Sequence, residues 1–230
     1  MDKHLTAHPT EGVMSMVLFF IAKGYPVGPK RIRRLFRIMG RQTIYRRKNL
    51  TKQGLKEFIK PYLLKGLKIT HANQVWCTDI TYIPMKHGFM YLTAIMDVYS
   101  RKIVSWGISN TMSAEWCLQV LEDAIATHGN PEIVNSDQGS QYTSALWTQY
   151  LERHGIKISM DGKGRALDNV WIERFWKSLK YDYVYLNPAD DGFELYEGVQ
   201  NHIAYYHDKI HHTTNETPSQ RYEKSIRIAA

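Results

Sequence analysis

The pattern of apolar and polar positions divides the chain into a basic N-terminal segment, a region of mixed strands and helices, and a helical tail. Residues 75–82 alternate with the period of two that marks a strand. Apolar residues at three- and four-residue steps indicate helices elsewhere. Five strands are expected, at residues 75–82, 89–98, 102–109, 133–135 and 156–159. Helices are expected at residues 29–40, 113–128, 143–154, 168–183 and 193–206.

The order of these elements predicts the fold class. Three strands come first, with only a tight turn between the second and the third, and helices separate the later strands. Antiparallel strands followed by helical crossovers predict an α/β fold whose mixed five-stranded sheet is covered by helices on both faces. We expect a basic helical arm at 1–60, a linker at 61–73, a core at 74–185 and a helical tail at 186–230.

Positive charge is concentrated in the N-terminal arm. The chain has 30 Lys and Arg against 22 Asp and Glu, and 12 of the basic residues lie between Lys23 and Lys56, a stretch without an acid. The helix at 29–40 would have an apolar side of Ile32, Leu35, Phe36 and Met39, with five cations over much of the remaining surface. These cations are Lys30, Arg31, Arg33, Arg34 and Arg37. Because no acid neutralises them, we expect this helix to lie on DNA phosphates, with a solvated charged surface as the alternative.

Composition argues against several other classes of protein. The apolar run Met14–Ala22 is far shorter than the roughly 20 residues that a membrane span needs, and it lacks the cleavage pattern of a signal peptide. Cys77 and Cys117 are far apart and form no Cys-x-x-Cys pair, which argues against a disulfide framework and a cysteine-based zinc site. We therefore expect a cytoplasmic protein with no membrane partner and with both cysteines buried.

Three carboxylates stand where this order of elements would bring them together. Asp79 lies on the first strand, Asp137 follows the fourth strand, and Glu173 lies on the helix after the fifth. Ligands of open α/β sheets gather beyond the ends of central strands. Mg²⁺ and Mn²⁺ prefer oxygen ligands, and two such ions commonly serve displacement at phosphorus. The three acids therefore predict a catalytic site for two Mg²⁺ or Mn²⁺ ions.

Other acids compete for these roles. Asp161 lies in a Gly-rich loop, Asp168 fits the N-cap of a helix, and Asp97 fits a turn, Asp97–Arg101, in which it satisfies backbone groups. With 22 acids among 230 residues, acids can fall at these spacings by chance. The alternative is therefore that Asp79, Asp137 and Glu173 are ordinary surface acids. We expect structural roles for Asp97 and Asp168.

Helical geometry favours Glu173 as the third carboxylate. Four polar residues within about 80° of one another share one face of the helix at 168–183. They are Asn169, Glu173, Lys177 and Lys180. The opposite face carries an apolar stripe of Trp171, Phe175 and Leu179. This pattern predicts that the apolar stripe anchors the helix while the Glu and two Lys are exposed together.

The stretches around these acids resemble the integrase-type catalytic core of bacterial insertion-sequence transposases, in particular the group whose transposase is read from two overlapping frames. The resemblance runs from Gln74 to Tyr183. The matching stretches are VWCTDITY at 75–82, DVYSR at 97–101, SDQGSQYT at 136–143, and Asp168-Asn169 leading to Glu173. Asp137 and Glu173 are separated by 35 residues, as in the D,D-35-E signature of that family.

This resemblance implies a ribonuclease-H-like fold and an enzyme that cuts DNA at element ends and joins it to target DNA. It implies that both metal ions share Asp79, with Asp137 completing one site and Glu173 the other. Six residues near the site are expected to contact DNA. They are Gln141, Tyr142, Lys163, Arg165, Lys177 and Lys180, with solvated loop charge an equal alternative for Lys163 and Arg165.

The resemblance also implies partners beyond the DNA. We expect a homo-oligomer on DNA and a bacterial, nucleoid-associated location. The N-terminal arm resembles the helical segment that precedes the core in such proteins, so a protein of the upstream frame is a candidate partner supplying the helix-turn-helix and zipper region. In the tail, Thr217-Pro218 and Tyr222 match the family, whereas residues 206–212 depart from its Y-N-x-x-R-P-H pattern.

Two other functions remain open at this stage. One is an inactive or partial element product that only binds DNA, as a regulator, and the intact triad of carboxylates argues against it. The other is a ribonuclease-H-type nuclease that acts on RNA–DNA hybrids. The basic arm, with Gln141 and Tyr142 beside the site, fits the ends of a DNA duplex better than a hybrid.

Overall fold

The computed structural model describes residues 1–8, 11–40, 58–162, 169–211 and 213–229. The chain forms two compact units, Met1–Thr51 and Lys52–Ala230. The first unit has one buried apolar cluster, and the second has two, one on each face of its sheet.

The described part of the first unit contains three short helices, α1 (Asp2–Ala7), α2 (Val13–Ala22) and α3 (Pro29–Ile38). The apolar run considered above as a membrane segment forms most of α2. Helix α3 confirms the helix expected at 29–40, and it starts with a proline, which is favourable at the first helical position. Ile32 and Phe36 are buried in the cluster of this unit. All five cations expected on the outer surface of α3 are exposed.

The second unit is built on a mixed five-stranded sheet, as expected. The strands are β1 (Val75–Pro84), β2 (Phe89–Asp97), β3 (Ile103–Ser109), β4 (Ile133–Ser136) and β5 (Lys157–Met160). Their order in the sheet is β3-β2-β1-β4-β5. The first three pair antiparallel, and β4 joins β1 and β5 by parallel pairing. Strand β4 therefore lies beside β1, which places the residues after β4 close to those in the middle of β1.

Helices cover both faces of this sheet, which confirms the expected layers. On one face lie α4 (Ala114–His128) and α5 (Ala145–Arg153), whose apolar side chains form one cluster with Trp76 of β1. On the other lie α6 (Val170–Ser178), a π-helical segment (Leu179–Val184) and α7 (Gly192–Asp208), whose apolar side chains cluster with Val75 and Cys77 of the same strand. Helix α8 (Pro218–Ala229) follows.

Local signals set several of these boundaries. Ser113 caps α4 by accepting a hydrogen bond from Trp116 N at 3.2 Å, as the sequence predicts. The turn after β2 is held by Asp97, whose Oδ1 accepts from Ser100 N at 2.7 Å and whose Oδ2 accepts from Asn73 N at 2.8 Å. The structural role expected for Asp97 is thereby confirmed. Cys77 and Cys117 are both buried and unbridged, again as expected.

The segments that flank the sheet pack against it. Leu64 and Ala72, in the segment expected to be a linker, belong to the two core clusters, and Leu63 N donates to Ser159 Oγ at 3.0 Å. Helix α7 buries Val199 and Ile203, so the tail packs on the core as expected. Within the described ranges, no helix is long and apolar enough to cross a membrane.

Candidate active site

The sheet register places Asp79 and Asp137 on neighbouring strands. Strands β1 and β4 pair in parallel, and Cys77 lies opposite Asn135. Asp79 follows Cys77 by two residues, and Asp137 follows Asn135 by two residues, so both carboxylates lie at the same level of the sheet. Helix α6, which carries Glu173, packs against β1. The charges of both other acids act on the Asp79 carboxylate, as expected if the three converge.

Asp79 is the most perturbed of the three acids. The pKa of its carboxyl is raised to about 6, first by burial and also by the negative charges of Asp137 and Glu173. Hydrogen bonds from Trp176 and from the backbone of Ile80 act in the opposite direction. Trp176 Nε1 donates to Asp79 Oδ2 at 2.9 Å. The indole therefore holds one oxygen of Asp79 in a fixed position.

The Asp137 carboxylate is held in place by a residue of its own loop. Its side chain is exposed, and its Oδ1 accepts a hydrogen bond from Gly139 N at 2.9 Å. Partial desolvation by the surrounding protein raises the pKa of Asp137, and the bond from Gly139 opposes this rise. A Cβ atom at residue 139 would lie 2.5 Å from Gln141 Nε2 and 2.9 Å from Asp137 Oδ1. A side chain at residue 139 would therefore displace the ends of the Gln141 and Asp137 side chains.

The donor set fits a hard divalent cation. Carboxylate oxygens are the ligands that Mg²⁺ and Mn²⁺ prefer. The pKa of Asp79 is raised by burial first and by the neighbouring acids second, and a cation beside it would stabilise the ionised carboxylate. Across the described part of the chain, no three His, Cys, Asp or Glu side chains lie close enough together to hold one ion. The three acids thus share one region without forming a tight cluster.

Asp161, the acid considered above as a competing metal ligand, belongs to a hydrogen-bond network beneath the site. Asn135 Nδ2 donates to Asp161 Oδ1 at 2.8 Å, and Ser159 Oγ donates to Asn135 Oδ1 at 2.7 Å. Gln138 Nε2 also donates to Asp161 O at 2.8 Å. Asp161 therefore ties the end of β4 to the end of β5 and supports the loop of Asp137. The other competitor, Asp168, lies outside the described residues, and Asn169 is the N-cap residue of α6.

The orientation of α6 differs from the expectation. The buried residues are Ile172, Phe175, Trp176 and Leu179, whereas Trp171 is only partly buried. At about 100° per residue, this buried stripe is centred roughly 110° from Glu173 rather than opposite to it. Residues at the edge of this stripe therefore lie closer to the sheet than expected.

Two polar residues expected on the exposed face lie at that edge. Asn169 is buried, and its Nδ2 donates to Thr78 O at 3.3 Å. Lys180 is half-buried in the π-helical segment, and its Nζ donates to Thr81 Oγ1 at 2.6 Å. Burial lowers the pKa of Lys180, and the charge of Asp79 opposes this effect. Glu173 and Lys177 are exposed, as expected.

Of the loop residues expected to contact DNA, Tyr142 requires correction. Its side chain is completely buried in the α4–α5 face, and its hydroxyl lies 3.2 Å from Thr78 Oγ1. The aromatic ring therefore serves the core beneath the site and is not available to DNA. Gln141 is also largely buried, with 8% of its surface exposed. Lys163 and Arg165 lie outside the described residues.

Trp176 is the functional residue that the sequence interpretation missed. It was not assigned to either face of its helix, although it follows Glu173 by three residues and so lies on a neighbouring part of the helix surface. That spacing signals only that Trp176 lies near Glu173 on the helix surface. The partner atom, Asp79 Oδ2, lies 97 residues away and no local pattern identifies it.

Comparison with known proteins places this arrangement in a family. Residues 69–166 match the family model described as integrase core domain. The transposase for insertion sequence element IS904 of Lactococcus lactis subsp. lactis is 34% identical over 200 residues, which cover 83% of this chain and 78% of that protein. The transposase InsF for insertion sequence IS3A of Escherichia coli K12 is 32% identical over 178 residues, 71% of this chain and 59% of that protein.

Solved structures of retroviral integrases share the fold. The HTLV-2 integrase catalytic core domain, in complex with magnesium, matches with a TM-score of 0.56 at 18% identity, covering 67% of this chain and 99% of that one. The catalytic core domain of BIV integrase matches with a TM-score of 0.55 at 15% identity, covering 68% of this chain and 98% of that one. The fold of the second unit is therefore ribonuclease-H-like. The sequence relatives and this fold show that the chain belongs to the insertion-sequence transposases with an integrase core domain, which are enzymes of DNA transposition.

Proposed function

We propose that this chain catalyses metal-dependent cleavage of DNA strands at element ends and transfer of those strands into target DNA. The observation that carries the proposal is the convergence on Asp79, which lies between the end of β4 and helix α6 and feels the charges of both Asp137 and Glu173. Ordinary surface acids have no reason to be arranged in this way on three separate elements.

Asp79, Asp137 and Glu173 would hold two Mg²⁺ or Mn²⁺ ions, with Asp79 shared between them. Such ions, when bound, activate water or a 3′-hydroxyl group and stabilise the charge that develops on phosphorus. The HTLV-2 integrase core, whose fold is similar, is described in complex with magnesium. The carboxylates of this chain provide the same kind of oxygen ligands.

The neighbouring side chains would keep these ligands in place during the reaction. Trp176 orients one oxygen of Asp79, and Gly139 N orients one oxygen of Asp137. Lys180, fixed to Thr81 beside Asp79, adds a positive charge next to the carboxylates. Ligands held by such contacts need little rearrangement when substrate binds.

The DNA would be bound by positive charges on both units. In the first unit, the five exposed cations of α3 suit the phosphates of a duplex. In the second unit, Lys177 is exposed one turn beyond Glu173, where it would contact the phosphates that flank the scissile bond. We also propose that the chain acts as a homo-oligomer on DNA, since the HTLV-2 core is described in trimeric and dimeric forms. An upstream-frame protein remains a proposed partner.

The test is a cleavage and joining assay with Mn²⁺ and labelled duplexes that carry candidate element ends. Asp79→Asn, Asp137→Asn and Glu173→Gln change almost no volume, and each should lower the cleavage rate by more than about a hundredfold, or about 2.7 kcal/mol of barrier. DNA affinity should be retained. Asp123→Asn, at an exposed position on α4, is the matched control and should leave the rate unchanged.

Other results would favour the alternative functions. DNA binding without cleavage by the wild-type chain would indicate a regulator. Cleavage confined to an RNA–DNA hybrid would indicate a ribonuclease-H-type nuclease. A triad variant that keeps more than about a hundredth of wild-type activity would contradict the role assigned to that residue.

A further inference from the structure

A cavity of about 340 Å³ lies on the side of α6 that faces away from the proposed active site. Helix α6 contributes Trp171, Arg174, Phe175 and Ser178 to its wall. These positions lie between about 100° and 200° around the helix from Glu173, so the cavity is separated from that carboxylate by the body of the helix. The remaining wall comes from the turn after β2 and from the end of α7 with the residues that follow it.

The wall of the cavity carries strong positive charge. Arg101, Arg174 and Lys209 line it, together with His211, and no acid is among the described residues of the wall. Arg174 and Lys209 are exposed, whereas Arg101 is largely desolvated. The charge of Arg101 acts on the Asp97 carboxylate, but both oxygens of Asp97 already accept hydrogen bonds from Ser100 and Asn73. A pocket of this composition lacks an anion.

Without an anion in the cavity, Arg101 lies in an unfavourable environment. Its Nη1 atom is buried and has no hydrogen-bond partner among the residues that the structure describes, and the like charge of Arg174 acts on it. A buried charged donor without a partner is unfavourable, because it has lost its water and gained nothing in exchange. The backbone of Arg101 also has a φ of 70°, a left-handed conformation that is uncommon for a residue with a side chain. Both features place the guanidinium where an anion would stabilise it.

Aromatic rings form the other part of the wall. The guanidinium of Arg101 lies over the ring of Trp171, with 5.5 Å between Cζ and the ring centroid. Phe175 and Tyr206 meet edge to face, with 4.9 Å between their centroids. Flat aromatic surfaces beside guanidinium groups are the usual means by which proteins bind the base and the phosphate of an unpaired nucleotide.

We propose that this cavity binds one unpaired nucleotide of a DNA strand, with its phosphate on Arg101, Arg174 and Lys209 and its base against Trp171. The inference rests on the proposed function, which supplies the DNA substrate, and adds a second contact to it. A strand that leaves the duplex near the reacting bond would be the unpaired DNA that such a site holds.

The experiment compares two labelled DNAs in a chelating buffer without metal ions, so that binding is measured apart from catalysis. One is a blunt duplex, and the other is the same duplex with a short single-stranded tail that contains 2-aminopurine. The wild-type chain should bind the tailed DNA more tightly, and its binding should quench the 2-aminopurine fluorescence because the base stacks on a ring.

Variants of the wall identify the site. Trp171→Leu should lose the quenching and about tenfold in affinity for the tailed DNA, whereas Trp171→Phe, which keeps a ring, should retain most of both. Arg174→Gln, at an exposed position, should weaken binding and reduce the salt slope by about 0.7, the value for one phosphate of a single strand. Arg153→Gln, at an exposed arginine on α5, is the matched control and should change neither quantity.

Unchanged affinity and quenching in both Trp171→Leu and Arg174→Gln would overturn the inference. Loss of self-association in these variants, with tailed-DNA binding intact, would also overturn it and would assign the cavity to a protein contact. If the wild-type chain binds neither DNA, the proposed function fails as well. If the wild-type chain binds both and the variants do not differ from it, only the cavity has been misassigned.

Discussion

Replacing Asp79 with asparagine is expected to make the metal-free protein more stable at neutral pH. Burial, together with the charges of Asp137 and Glu173, raises the pKa of Asp79 from its ordinary 3.8 to about 6. Between these values the folded protein keeps a proton on Asp79 that the unfolded chain has released. Folding therefore becomes less favourable as the pH rises from about 4 to about 6, and the full penalty applies above that range.

The size of the effect follows from this pKa difference. At about 1.36 kcal/mol per pKa unit, ionised Asp79 lowers the free energy of unfolding by about 3 kcal/mol near pH 7.5 and by roughly half of that near pH 5. Asparagine is uncharged, and its oxygen can still accept the hydrogen bond from Trp176 Nε1. Since about 1 kcal/mol shifts the Tm by roughly 2–4 °C in a domain of this size, Asp79→Asn should raise the Tm by roughly 6–12 °C at neutral pH.

Thermal unfolding in a chelator, followed by circular dichroism over a series of pH values, measures this directly. The exposed control Asp123→Asn, whose side chain accepts from Gln119 at 3.1 Å, should leave the Tm unchanged. Adding Mg²⁺ should stabilise the wild type more than Asp79→Asn, because the ion binds the folded state. An equal or lower Tm for Asp79→Asn at neutral pH, or a difference that does not shrink in acid, would refute the reasoning.

Three further changes have defined outcomes. Replacing Arg33 and Arg37 by alanine should weaken binding to duplex DNA and reduce the slope of log K against log salt by roughly 0.9 per lost phosphate contact, which a salt titration measures. Gly107→Ala puts a methyl group 2.5 Å from a tryptophan ring of α4, so denaturant titration should find the protein about 1–3 kcal/mol less stable. Lys177→Ala and Lys180→Ala should weaken binding of element-end DNA in Ca²⁺ more than they slow single-turnover cleavage. Unchanged DNA affinity with shifted metal dependence would instead assign these lysines to neutralising the acids.

The sheet was predictable because its strands carry their own signal. The period of two at residues 75–82 and the short apolar runs later in the chain mark all five strands, and their order leaves few arrangements of the sheet. Helix α4 was equally clear, because Ser113 caps it and Gly129 ends it. Local sequence alone decides these features.

The details of the site depend on contacts between distant residues. The acids Asp79, Asp137 and Glu173 were identified by motif and spacing. The rotation of α6 about its axis, in contrast, is set by which of its side chains pack against the sheet. That rotation brings Trp176 to Asp79 and draws Lys180 to Thr81, and neither contact follows from helical periodicity.

The change from α- to π-helical geometry at Leu179 adds to this difficulty. A π-helical turn contains more residues than an α-helical turn, so positions after Ser178 no longer follow the spacing of 100° per residue. The prediction that Tyr142 contacts DNA was wrong for a related reason. A residue next to a site in sequence can point either into the solvent or into the core. Its complete burial depends on Trp147 and the other residues of the α4–α5 face.

The most direct test of the proposed chemistry is to locate Mn²⁺ by anomalous diffraction in crystals of the chain bound to element-end DNA. The proposal predicts one peak between Asp79 and Asp137 and a second between Asp79 and Glu173, with both lost in Asp79→Asn. Peaks away from these three carboxylates, or peaks that persist in Asp79→Asn, would contradict it.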